Sequence, residues 1–362
     1  MKKIFFIAII IFLLLSCSKK NQGGLPEIPI DIHQDSSMPL SEITEKMTVI
    51  ELELTDQSMI GPLTRGVIIS KNEVFIATLD KILVFNRTNG KFIRSIGSQG
   101  QGPKEYTYIL NLALDEKNKR LFISSADQKI ASFDFDGNFL KEKRLPESII
   151  DLNYVNKELF LLADNVRTDS TGGVYSHSTI YRMNDDLQTV DSCTIRDLNI
   201  KDNNGISAFG TKDYLLKGNK SLFLYYGDVF LRANKAAKVL RDTLYRVENS
   251  RLIPELKFQF GNDEVGKFIH LTSIYRSSRY VFGGYLNFVE TMKEYLFCYD
   301  TKTGKGYNVQ SGYTDDINQI EGKVYIRPSK LDTETFYYLH TNMKPEDKEE
   351  PNPTLYIGKL KK

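Results

Sequence analysis

Two stretches decide the fold: VFIATLDKILVFNRTNGKFIRSIG, Val74 to Gly97, and LFISSADQKIASFDFDGNFLKEKR, Leu121 to Arg144. Laid on one another, they put Phe75 on Phe122, Ile76 on Ile123, Asp80 on Asp127, Gly90 on Gly137 and Phe92 on Phe139, each pair 47 residues apart. Ile82 with Ile130 and Phe85 with Phe133 are 48 apart, so one residue is gained after the Asp and lost again before the Gly turn. Seven matched positions at a period of 40 to 50 residues point to propeller blades, each a small meander that cannot bury its own faces.

Fainter copies follow. KELFLLADNV with STIYRMNDDLQTVDSCTI makes a third unit, with a loop of roughly Arg167 to Ser176 between them. KSLFLYYGDV with DTLYRVENSRLIPELKFQFG makes a fourth, and RYVFGGYL with EYLFCYDTKTGKGYNV a fifth, where Thr303-Gly304 repeats the turn of Asn89-Gly90 and Asp136-Gly137. A sixth runs from INQIEGKVYIRP to PTLYIGKLKK. From Met47 to Lys362 there are 316 residues, about 53 per unit for six units. The segments are short, rich in β-branched and aromatic residues and separated by Asn, Asp, Gly and Lys turns. No sustained helical period interrupts them.

The expected architecture is therefore all-β: a six-bladed β-propeller of four-stranded antiparallel blades. The last unit stops after its third strand, TLYIGKL, and the first is preceded by a spare strand, TVIELEL. The spare N-terminal strand is expected to complete the last blade and clasp the ring.

The chain opens with Lys2 and Lys3 and then twelve apolar residues from Ile4 to Leu15, too short for a bilayer core that needs ~20. Leu14-Leu15-Ser16-Cys17 follows, a pattern that resembles a bacterial lipobox. The expected organisation is a signal peptide over 1–16, a lipidated Cys17 with a flexible tether over 17–46, and the propeller over 47–362. The tether reading rests on Gly23, Gly24, Pro26, Pro29 and Pro39.

Removing residues 1–16 takes away two lysines and no acid, so the formal charge of +2 falls to zero. A nucleic-acid ligand is not expected, since phosphate neutralisation calls for a basic excess or stripe. Cys193 and Cys298 are read as small buried hydrophobes rather than a bridge. The histidines, His33, His177, His270 and His340, have no zinc-site spacing. No cofactor is expected, and no motif supports Ca2+.

The lipobox, the 47-residue repeat, the segment from Gly97 to Tyr106 (GSQGQGPKEY) and the NP-introduced last strand resemble the six-bladed β-propeller lipoproteins of Bacteroidetes, related in form to NHL-repeat propellers. The resemblance spans nearly the whole mature chain and implies a fold rather than an activity. Lys104 stands where those proteins commonly carry glycine, which bears on any left-handed backbone there. The resemblance also implies an address in the bacterial cell envelope, on a membrane through the lipid. Because Ser18, Lys19 and Lys20 follow Cys17 where surface-exported lipoproteins carry acids, a periplasm-facing anchor is favoured over the cell surface.

GSQGQGPKEY is not a phosphate loop: no GK[ST] and no helical run follow the glycines. It is expected to be the crossover from the rim of one blade to the axis of the next. Its polar residues, Gln99, Gln101, Lys104, Glu105 and Tyr106, are the candidate ligand contacts near the channel mouth. The expected function is a non-catalytic module binding a small molecule, glycan, peptide or envelope protein. The alternative is a metal-assisted hydrolase or lactonase, for which Asp115, Asp151, Asn153 and Asp316 have suitable side chains. Asp80 and Asp127, at one blade position, read as turn caps.

Overall fold

The computed structural model describes residues 24–32, 36–61, 63–168, 170, 173–200, 208–209, 213–227, 229–230, 242–260, 269–288, 291–343 and 350–362. Six antiparallel sheets follow one another around an axis. Blade 1 comprises Gly66–Ile69, Glu73–Ala77, Ile82–Asn86 and Phe92–Ser95. Blade 2 comprises Ile109–Asp115, Arg120–Ser125, Lys129–Asp134 and Phe139–Arg144. The sequence repeat thus aligns the second, third and fourth strands of two neighbouring blades.

Burial explains the repeat. Val74 to Ala77 and Ile82 to Phe85 are fully buried without alternation, because a propeller blade is covered on both faces by its neighbours. The outer strands, Phe92–Ser95 and Phe139–Arg144, instead alternate between partly buried and exposed residues. Gly90 has φ +70° and Gly137 φ +94°, the left-handed conformation that the turn into the outer strand requires. Asp80 and Asp127 accept from Thr78 Oγ1 (2.9 Å) and Ser125 Oγ (2.6 Å) within their own turns.

Blade 3 is formed by Ser148–Val155, Glu158–Thr168, Val174–Met183 and Thr189–Ile200. Its last three strands are long, and both ends of the segment expected as an inserted loop are strand: Arg167 pairs with Tyr175 and Thr168 with Val174. Blade 4 has Leu215–Lys217, Leu222–Leu224, Thr243–Glu248 and Arg251–Gln259; Ala208–Phe209 and Val229–Phe230 form a separate two-stranded pair. Blade 5 has Ile269–Arg276, Tyr280–Asn287, Lys293–Asp300 and Lys305–Gln310.

Blade 6 joins the two ends of the chain. Arg327–Pro328, Thr335–His340 and Thr354–Leu360 come from the C-terminal region, and Thr44–Glu51 supplies the fourth strand, with Val49 opposite Tyr356 and Ile50 opposite Leu355. The expected clasp is present. Ile50, Leu52, Leu355 and Ile357 then pack with Val74, Ile76 and Phe85 of blade 1, which seals the seam of the ring.

The N-terminal segment departs from the expectation of a flexible tether over 17–46. Within its described part, Glu27–Pro29 adds a fifth, parallel strand to blade 4, with Ile28 opposite Phe258. Ser36 then exchanges hydrogen bonds with Asn308 of blade 5, and Leu40 N donates to Thr314 O at 2.8 Å. Ile28, Ile30, Ile32, Met38, Leu40 and Ile43 are all buried. Prolines suggested a tether, but a proline is tolerated on an edge strand paired on one side, and the alternate isoleucines bury enough apolar surface to hold the strap down. Cys17 lies outside the described residues. Among the described residues no helix is long and apolar enough to cross a membrane.

Candidate functional site

The first strand of each blade runs beside the axis and has a neighbour on one side only. Side chains from all six blades therefore converge on one axial cavity of about 180 Å³. Blade 1 contributes Arg65 to Ile69, blade 2 Asn111, Leu112, Leu114 and Glu116, and blade 3 Asp151 to Asn153. Asp213 and Leu215 to Lys217 come from the blade 4 side, Tyr275 from blade 5, and Arg327 to Leu331 with Tyr337 from blade 6.

The acids of this cavity are already engaged. Asp151 is buried and its two carboxylate oxygens accept from three backbone amides: Leu152 N at 2.7 Å, Tyr214 N at 3.0 Å and Leu215 N at 2.7 Å. Burial, with the nearby charge of Asp213, pushes its carboxyl up to about 7 despite those bonds. Asp213 accepts from the Tyr275 hydroxyl at 2.6 Å. Glu116 faces Lys330 at 3.8 Å and accepts from Lys71 N.

The bases are differently placed. Burial lowers the Lys217 ammonium, reinforced by repulsion from Lys330, and brings it down to about 8; Glu116 and Asp115 oppose that shift. Its one described hydrogen bond is to Leu114 O at 3.4 Å. Arg327 keeps an exposed surface although protein packs closely around its guanidinium. Burial disfavours its charge, but Tyr275, Asp213 and Tyr337 more than compensate and hold it above the usual guanidinium range. The Tyr337 phenol is pushed up to about 12 by burial, partly offset by Arg327.

The sequence candidates fall into two groups. None of Gln99, Gln101, Lys104, Glu105 and Tyr106 lines the axial cavity. They form the corner from blade 1 to blade 2, where Gly100 N donates to Tyr106 O at 2.8 Å and Tyr106 N to Ser98 O at 3.1 Å. Tyr106 is buried against Phe133 with its hydroxyl donating to Ile96 O at 3.0 Å, and burial pushes the phenol up. Glu105 caps Gly102 N at 2.8 Å, and buried Lys129 donates to Glu105 O. A Cβ on Gly100 would lie 1.9 Å from Glu105 Oε2, so a larger residue there would displace the Glu105 carboxylate from its place in the corner. Lys104 has φ +72°: the left-handed turn survives the replacement of glycine by lysine. Gln99, Gln101 and Lys104 are exposed, and Gln99 and Tyr106 border a separate open cleft with Asp80, Lys81 and Arg94.

Of the acids and amides read from sequence, Asp151 and Asn153 do line the axis, and Asn153 Nδ2 donates to Leu215 O at 2.7 Å. Asp115 is buried, where burial would raise its pKa, but bonds from Arg120 and Asn118 hold it below the carboxylate range. Asp316 accepts from Ser41 N at 3.0 Å on the N-terminal strap. Among the described residues no three of His, Cys, Asp and Glu gather as a metal site. His177 lies in the long blade 3 hairpin, its ring stacked on Tyr175 and its Nε2 3.0 Å from Thr179 Oγ1. Cys298 is buried and Cys193 half-buried, and no disulfide joins them. Sequence reasoning missed Arg65, Lys217, Arg327 and Lys330; aligning the units on their axial strands is the signal that finds them.

A family model matches residues 25–361, nearly the whole length of the chain. The chain belongs to the DUF4934 family. That family is described as a domain of unknown function. Among solved structures, this DUF4934 chain is similar to BF0058, a presumed exported protein of Bacteroides fragilis NCTC 9343, at 18% identity and TM-score 0.62, over 94% of this chain and 100% of that one. It also matches a member of the duf4221 family from Bacteroides vulgatus ATCC 8482 at 10% identity and TM-score 0.48, over 88% of this chain and 97% of that one. The first likeness agrees with the propeller fold. No curated protein matches the sequence.

Proposed function

We propose that this DUF4934 protein is an exported, lipid-anchored β-propeller of the cell envelope that acts as a non-catalytic binding module and takes its ligand in the axial cavity. The observation that carries this reading is the convergence of side chains from all six blades on one cavity. Closed propellers leave the axis as the place where every blade contributes to one concave, part-apolar site with a few polar groups, the usual form of a small-ligand site. The description of BF0058 as a presumed exported protein and the lipobox-like Leu14-Leu15-Ser16-Cys17 support the address.

A thermal-shift screen of the protein against sugars, amino acids, peptides and organic acids tests the reading, because a ligand that binds only the folded state raises the melting temperature. Hydrogen exchange then locates the hit. Protection of Gly66–Ile69, Leu215–Lys217 and Arg327–Pro328 is expected; protection confined to 97–106 refutes the axial site and favours the blade corner. For the anchor, palmitate labelling is expected in the wild type and lost in Cys17→Ala, and unchanged labelling refutes it.

A further inference from the structure

The axial cavity has more positive charge than it can neutralise. Four basic side chains line it, Arg65, Lys217, Arg327 and Lys330. Among the described residues, the only one of these with a carboxylate within 4.0 Å is Lys330, on Glu116. Of the other two lining acids, Asp151 accepts from three backbone amides, and Asp213 accepts from the Tyr275 hydroxyl and offsets the charge of Arg327, which leaves Lys217 without a contacting carboxylate among the described residues. Lys217 is half-buried, and an ammonium partly withdrawn from water without a contacting anion carries a cost that a ligand supplying the anion relieves. Beside Lys217 the wall turns apolar, with Leu112, Leu114 and Leu216.

We infer that the cavity takes a small organic acid, its carboxylate set against Lys217 and its carbon body along the leucine wall. This rests on the axial cavity being the binding site. A cavity of about 180 Å³ suits a compact molecule rather than a polymer. The groups facing Lys217 are Lys330, Glu116 and, behind the wall, Asp115, which Arg120 already pairs at 2.7 Å. Two ammonium groups therefore meet one available carboxylate, that of Glu116, and a ligand carboxylate makes the count even. Because the Lys217 ammonium titrates near 8 when the cavity has no anion, affinity for the acid falls roughly tenfold per pH unit above that value.

The test is calorimetric titration of the full-length protein with benzoate, hexanoate and glucuronate, each beside a neutral isostere: benzamide, hexanamide and glucose. At least one carboxylate is expected to saturate where its isostere does not. Lys217→Met is expected to weaken it about tenfold to a hundredfold, the size of a charged hydrogen bond, and Lys217→Arg to restore part of the affinity. Melting curves of the variants show that they fold. If no carboxylate binds, if isosteres bind equally well, or if Lys217→Met binds as the wild type does, the inference is wrong. Neutral isosteres that protect the axial strands from hydrogen exchange leave the binding site standing while removing the acid. A carboxylate that protects only 97–106 removes the site itself.

Discussion

If Thr44–Glu51 is the strand that closes the ring, its two adjacent residues Val49 and Ile50 must behave oppositely. Ile50 is 3% exposed and packs with Leu52, Val74, Ile76, Phe85 and Leu355 across the seam between blades 6 and 1. Val49 is 49% exposed. Ile50→Ala removes three buried carbons and leaves a cavity that two flanking sheets cannot easily collapse into, a loss of about 3 kcal/mol. In a propeller of 316 residues, 1 kcal/mol moves the melting temperature by about 1.5 °C, so calorimetry should show a drop of ~5 °C. Val49→Ala should stay within about 0.5 kcal/mol, under ~1 °C. Leu355 lies opposite Ile50, so the Ile50→Ala/Leu355→Ala double variant should depart from additivity by about 0.5–3 kcal/mol. A one-residue register slip exchanges buried and exposed faces. Equal or greater damage from Val49→Ala would therefore refute the register, and no effect from either would refute the clasp.

The turn glycines offer a matched pair. A Cβ on Gly90 (φ +70°) would lie 1.8 Å from Glu51 O, whereas on Gly304 (φ +72°) its nearest neighbour is 3.8 Å away. Gly304→Ala should cost only the left-handed backbone penalty, about 1–2 kcal/mol, and Gly90→Ala distinctly more by chemical denaturation. Lys217 is depressed in the folded state to about 8 from an ordinary 10.5, so the unfolded chain holds the extra proton between those values. Without ligand, stability should rise with pH across 8 to 10.5, and Lys217→Met should flatten that rise in urea titrations. Asp151→Asn replaces one oxygen of a carboxylate that three amides share, leaving at least one buried N–H without an acceptor. A loss of about 1–3 kcal/mol is expected. In the strap, Ile30→Asp should speed hydrogen exchange at Lys257 and Ile30 amides, which bond to Pro26 O and Gln259 O, and leave blade 2 unaffected.

The blades were legible where local chemistry repeats. Phe75 and Phe122 are buried by neighbours on both faces, and Gly90 and Gly137 hold the same left-handed turn, so packing and backbone geometry both write a period into the sequence. The strap was not legible because Pro26, Pro29 and Pro39 announce an extended chain, and an extended chain can be either loose or laid along an edge. The alternation Ile28, Ile30, Ile32 was the sign that it is laid down. The blade corner was singled out by its glycines, yet those glycines report local packing: the Glu105 side chain fills the space over Gly100, and Tyr106 is buried. At the axis, Asp151 and Asn153 were recognisable as residue types. Lys217, Arg327 and Lys330 were not, since each looks like an ordinary surface base until ring closure brings strands more than 100 residues apart onto one cavity.

The most direct measurement is a crystal soaked in 4-bromobenzoate, with the bromine located by anomalous scattering. The bromine is expected in the axial cavity beside Leu112, Leu114 and Leu216, with the carboxylate on Lys217 and the signal lost in Lys217→Met. A bromine peak in the cleft bordered by Gln99 and Tyr106, with the axial cavity empty, would contradict the account.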